Sequence, residues 1–187
     1  MKAENASADR RLYALQLFIA VTLILLAAAV RILPHPMNIT PIGAMAIFSG
    51  SLFRNRWTAF LLPLGALFAG DLFVGLYKLM FIVYFSFALS VAIGRRFAAS
   101  RSVAGVGGAV FLGALQFFAV TNFALWALGG FYPKTLAGLA TCFANALPLF
   151  WNTLAGDILY AAVLFGGYAL AEKLFGRNPR LAGEGSV

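Results

Sequence analysis

Histidine and cysteine each occur once in this 187-residue sequence, as His35 and Cys142, and acidic residues occur only six times. A lone cysteine excludes an intramolecular disulfide, and with one histidine beside it no Cys/His metal cluster can be assembled. Cys142 is expected to be a small buried hydrophobe. The only glutamate within the long apolar runs is Glu172, near the end of the last one, and the phosphate-cradling signature GxxxxGK[ST] does not occur. Any ATP consumed on behalf of this protein must therefore be used by a partner. Charge is also scarce: 11% of residues are charged, against about 25% in soluble domains.

Apolar residues fill the gap. They make up 62% of the chain, and the mean hydropathy is +0.89. A soluble fold of this size could not hide that much apolar surface. The composition therefore predicts one integral membrane domain at residues 12–175, with cytoplasmic tails at 1–11 and 176–187. The first apolar run, Leu12 to Val30, is 19 residues long, beyond the about 7–15 of a secretory h-region and close to a full span. The net charge of +8 does not point to nucleic acid, because the basic residues sit in short clusters between apolar runs, as orientation signals do.

Seven apolar segments can be read, at 12–33, 41–53, 57–77, 79–94, 103–129, 135–150 and 154–175. Alternating strands of about ten residues, the mark of a barrel, are missing, so the fold class is all-α. With the N-terminus inside and six crossings, eleven of the fourteen basic residues lie inside, leaving Arg31, Lys78 and Lys134 outside. Seven crossings would give eight against six. The positive-inside rule thus predicts a six-helix bundle with both termini cytoplasmic, and a short re-entrant or interfacial helix at about 135–150. Rows of small residues at four-residue spacing, such as Ser86/Ser90/Gly94, suit close helix packing in lipid.

Polar residues within the spans gather toward the outer side of this topology. Asp71, in ALFAGDLFVGLY, and Asp157, in NTLAGDILYAAVL, are intramembrane acids, which are costly to bury and are held by a partner or used. By helical spacing Asp71 shares a face with Phe68, Gly75 and Lys78, and Asp157 with Thr153, Tyr160 and Tyr168. Asn122 and Trp126 share a face, Tyr132 and Lys134 follow them, and Asn152 precedes the last span. The stretch RILPHPMNITPIG joins the first two spans on the same side; its prolines stiffen the loop around His35, and Asn38 or Thr40 can cap the second helix. The triplet AGD occurs at Ala69–Asp71 and again at Ala155–Asp157, as internal repeats in transporters would place it.

The motifs PHPMNITPIGAMAIFSG, AGD, TNFALW, YPKTLAGL and NTLAGDILY, between about Arg31 and Gly167, resemble an uncharacterised bacterial membrane-protein family of unknown function. More distantly, that family is similar to the substrate-capturing S components of energy-coupling-factor vitamin transporters. The resemblance implies six helices, both termini inside, a substrate site near the outer face, and a transmembrane coupling subunit with ATPases as partner. The chain departs from the S-component pattern in its first helix. There the alanine-x-x-x-alanine spacing is broken, with Ile24 four residues after Ala20 and Arg31 four after Ala27.

These readings predict a transport protein of the inner or plasma membrane, with the lipid bilayer around it, that binds a small water-soluble metabolite, a vitamin or precursor, in an outward-facing pocket. The expected substrate-binding residues are Asn38, Asp71, Asn122, Trp126, Tyr132, Asn152, Asp157 and Tyr160, with the aspartates holding a cationic group or a proton and the aromatics stacking on a planar ligand. No catalytic residue, cofactor, metal or nucleic acid is expected. A structural or assembly subunit is the alternative, and a lipid-modifying enzyme is a third reading, weakened by the shortage of His, Cys and Glu.

Overall fold

The computed structural model describes residue 14 and residues 17–29 and 39–175. Among these the regular structure is entirely helical: α1 (Leu17–Ala29), α2 (Ile42–Leu52), α3 (Arg56–Val74), α4 (Met80–Phe97), α5 (Val103–Ala124) and α6 (Leu136–Phe175). A π-helical turn, Leu125–Gly129, extends α5. The connections from α2 onward are short, so neighbouring helices run antiparallel. One end of the bundle carries Arg54, Arg95, Arg96, Arg101 and Lys173 and is the basic end. The opposite end holds the α3–α4 and α5–α6 turns.

Six helices are present among the described residues, but the expectation of six spanning ones is corrected. Of these, only Met80–Phe97, Val103–Gly129 and Leu136–Leu174 are long and apolar enough to cross a bilayer. The 11 residues of α2 reach only about 16 Å at 1.5 Å per residue, half of a hydrocarbon core about 30 Å thick. The separate re-entrant helix at about 135–150 is also corrected. That segment is the first part of α6, which runs unbroken for 40 residues, or about 60 Å. Pro148 lies inside it and removes one backbone donor without ending the helix. Asn145 and Pro148 mark the segment as distinct in the sequence, but Thr135 starts the helix earlier by accepting the N–H of Gly138 on its hydroxyl at 3.1 Å.

The short α2 is the centre of the bundle. It contacts α3, α4, α5 and α6, and every residue from Ile42 to Gly50 is buried. A helix that is apolar on all sides has no face to offer water and belongs inside. Phe48 anchors it, meeting Phe165 and Tyr168 edge-on at ring separations of 5.1 and 5.8 Å. Its most extensive partner is α4, and two glycines make that approach possible. A Cβ on Gly50 would stand 2.0 Å from the carbonyl oxygen of Val91, and one on Gly94 would stand 2.3 Å from that of Ile47.

Side chains from α6 and α4 close the two ends of α2. Pro41 is its N-cap and has no side-chain acceptor. Asp157 of α6 supplies one instead, accepting the N–H of Ala44 on Oδ1 at 3.0 Å. At the other end Arg95 of α4 donates to the carbonyl oxygens of Phe53 and Arg54 at 3.0 and 2.8 Å. An acceptor at the N-terminus and a cation at the C-terminus both suit the helix dipole.

Between α4 and α5 the polar contact is a three-bond knot. Ser86 Oγ donates to Gln116 Oε1, and Gln116 Nε2 donates to Ser86 O and to Ser90 Oγ, each at 2.9 Å. Replacing Gln116 by leucine removes all three and is expected to cost about 1–2 kcal/mol, the range for interhelical hydrogen bonds in model membrane helices. The midpoint of thermal denaturation in detergent should fall accordingly. An unchanged midpoint would rule out a role for the knot in stability. The α1 face formed by Ala20, Ile24 and Ala27 is buried in the same core.

Candidate functional site

Of the eight residues expected to form one site, the seven that are described fall into several neighbourhoods. Asn38, together with Arg31 and His35, lies outside the described residues. Thr40 precedes α2, and an acceptor for the first turn of that helix comes from Asp157. That carboxylate is 3% exposed and is fitted to its place by glycine on both sides. A Cβ on Gly43 would come within 2.3 Å of Asp157 Oδ1, and one on Gly156 within 3.1 Å of the Ile39 Cα. The second AGD triplet thus reads as a close approach followed by a cap delivered from another helix.

Asp71 is fully buried and accepts the phenolic O–H of Tyr84 on Oδ2 at 2.8 Å. The alignment of Asp71 with Lys78 does not survive, because α3 stops at Val74 and Gly75 turns the chain at φ 106°. Lys78 therefore sits in the turn rather than on the helix. Nothing in a helical spacing argument could have produced Tyr84, which comes from the next helix.

Trp126 and Tyr132 build the α5–α6 turn. The indole Nε1 donates to Pro133 O at 2.9 Å, and Lys134 donates its ammonium to the Trp126 carbonyl while lying 5.7 Å from the centre of its ring. The hydroxyl of Tyr132 accepts from Asn145 Nδ2 at 3.4 Å, and Gly130 takes φ 75°. Asn152 is half-buried and engaged with other groups of the protein. Tyr160 packs against the core cluster. Cys142 is buried, as expected, with its thiol directed at the Asn122 carbonyl at 3.5 Å.

Among the expected residues, Asn122 lines a cavity. About 230 Å³ in volume, the cavity lies between the start of α4, the end of α5 and the middle of α6. Phe117, Phe118 and Phe150 form its aromatic wall, and Thr121, Asn122 and Thr153 are its polar residues. Each of these three makes a hydrogen bond within its own helix. Thr121 Oγ1 donates to Phe117 O at 2.7 Å, Asn122 Nδ2 to Phe118 O at 2.8 Å, and Thr153 Oγ1 to Leu149 O at 3.0 Å. What remains for an occupant is two hydroxyl oxygens and an amide oxygen as acceptors, and the second N–H of the Asn122 amide as a donor. The volume is below the about 300–1,000 Å³ of ordinary ligand pockets, so an occupant must be small. Among the described residues no group of three His, Cys, Asp or Glu side chains stands together to hold a metal.

The sequence reading misses the phenylalanines and Thr121. Four-residue spacing back from Asn122 points to Phe118, but the contribution of α6, Phe150 and Thr153, depends on where the long helix passes.

The fold is that of a helical protein with helices suited to a bilayer. The chain belongs to a protein family of unknown function, DUF6580, which matches residues 12–181. No curated protein and no solved structure matches it.

Proposed function

We propose that this protein is a multi-pass membrane protein of the inner or plasma membrane that captures a small planar molecule carrying an N–H or O–H group, in the cavity between α4, α5 and α6. The reading rests on one observation: both hydroxyls of that cavity donate into their own helices, so that its polar residues offer three acceptor oxygens against a single amide N–H inside an aromatic wall. Such a site favours a ligand that donates, with its ring against Phe117, Phe118 and Phe150. With the basic end in the cytoplasm, the cavity opens toward the outer side. That is the arrangement of an uptake protein of the S-component kind, a similarity that stands on the sequence motifs and the proposed topology alone.

The partner expected of such a protein is a transmembrane coupling subunit with ATPases. Since Ala20, Ile24 and Ala27 are buried in the chain's own core, such a partner would have to dock on another face. A second reading, an assembly subunit, is favoured by the engagement of Asp71 and Asp157 within the fold.

The deciding experiment is mass spectrometry of small molecules that co-purify with the protein, followed by binding of the identified compound to right-side-out vesicles. Asn122→Leu and Thr153→Val are each expected to lower its affinity about ten-fold, the loss of one hydrogen bond to a ligand, with the protein still abundant. Binding unaffected by either substitution, or access only from the cytoplasmic side, would overturn the proposal. An absence of any bound molecule would favour the assembly subunit.

A further inference from the structure

A second cavity lies on the flank of the bundle, between the first half of α5 and the second half of α6, far from the site above. Its volume is about 330 Å³. Val110 and Ala161, both buried, form the floor, and the exposed Val103 and Ile158 stand at the rims. Arg101 is part of the lining at the basic end of the groove. The groove exists because Gly107 and Gly166 face it: a Cβ at either position would meet nothing within 4 Å.

From Ile158 to Gly166, at 1.5 Å per residue, the groove is about 12 Å long. Its volume of about 330 Å³ over that length, between apolar walls, accommodates a hydrocarbon chain.

Charge identifies the rest of the ligand. The Arg101 guanidinium gives one N–H to Glu172, Nη1 to Oε2 at 3.1 Å, and lies 5.5 Å from the centre of the Tyr168 ring. Its side chain is 40% exposed, and a guanidinium has five donors in a fork matched to phosphate. Lys173 follows Glu172, and Arg54, Arg95 and Arg96 gather at the same end. Basic pockets between helices at the cytoplasmic surface suit anionic lipid headgroups.

We propose that this groove binds one anionic phospholipid, with an acyl chain between Gly107 and Gly166 and the headgroup phosphate on Arg101. The proposal relies on the chain being embedded in a bilayer, but not on the ligand cavity at the other end.

The test is native mass spectrometry of the full-length protein in a mild detergent, with equal amounts of dioleoyl phosphatidylglycerol and dioleoyl phosphatidylcholine added. The wild type should retain one phosphatidylglycerol with at least ten-fold preference. Arg101→Gln should reduce that preference below about three-fold while a lipid is still held. Gly107→Leu and Gly166→Leu, each filling open space, should lower occupancy by both lipids at least five-fold. Equal retention of the two lipids by the wild type would overturn the proposal, and so would leucine variants that bind phosphatidylglycerol as the wild type does. Loss of a dimer from the leucine variants with lipid occupancy unchanged would also overturn it, and would show that the groove seats a second copy of the chain.

Discussion

Alanine at Gly94 or Gly50 is expected to prevent the protein from accumulating in its folded form. Each added Cβ would lie 2.3 Å or less from a backbone oxygen of the facing helix, Ile47 in one case and Val91 in the other. A side chain can swing away from such a clash, but a carbonyl inside a helix cannot, so α2 and α4 must separate. Overpacking a core costs about 1–3 kcal/mol when side chains absorb it, and here the backbone itself has to move. Because α2 also contacts α3, α5 and α6, the displacement spreads through the bundle. Gly65→Ala and Gly108→Ala are the controls. Both enter open space and should leave stability unchanged or raise it by up to about 1 kcal/mol through helix propensity. Thermal stability followed by size-exclusion chromatography in detergent would read all four. A Gly94→Ala protein as stable as the wild type would show that the crossing is not as close as described.

The second large effect is expected at Asp157. Alanine there removes the acceptor for the buried Ala44 N–H, which has no water to turn to. An orphaned buried donor costs about 1–3 kcal/mol. Asparagine at the same position keeps an oxygen in place, so Asp157→Asn should retain more of the stability than Asp157→Ala. The comparison also separates two roles for the acid. Graded loss of stability, alanine worse than asparagine, fits a cap that holds α2. A fully stable Asp157→Asn protein that has lost ligand binding would instead place the carboxylate on the ligand.

Both effects show how the polar residues of the spans divide their work. The sequence reading gathers Asp71, Asn122, Trp126, Tyr132 and Asp157 into one pocket because all of them fall toward one side of the predicted topology. In the folded chain each of them has partners of its own. Asp71 is satisfied by Tyr84, Asp157 by the N-terminus of α2, and Trp126 and Tyr132 by the turn they belong to. An intramembrane acid calls for a partner, and here each finds one within the fold. Spacing along one helix reveals which residues share its face. It says nothing of what a neighbouring helix brings to meet that face, and for this reason the roles of Tyr84, Gln116 and Arg95 are invisible in the sequence.

Composition and the length of the apolar runs determined the class of this protein, helices that suit a bilayer, and its single cysteine excludes a disulfide within the chain. The small-residue row Ser86/Ser90/Gly94 also carried its meaning in the sequence, since all three are buried on one face of α4. The tertiary structure decided the rest. It showed α2 to be a short buried strut rather than a span, because a helix of 11 residues surrounded by four others needs neither length nor a polar face. It merged the polar-marked segment at 135–150 into α6, because neither Asn145 nor Pro148 outweighs the hydrogen bonds of a continuous helix. The stretch RILPHPMNITPIG ends at the start of α2, and there the group that caps the helix comes from more than a hundred residues away. Helix ends leave donors that something must satisfy. Which residue does so is settled by packing, and packing is not written in local sequence.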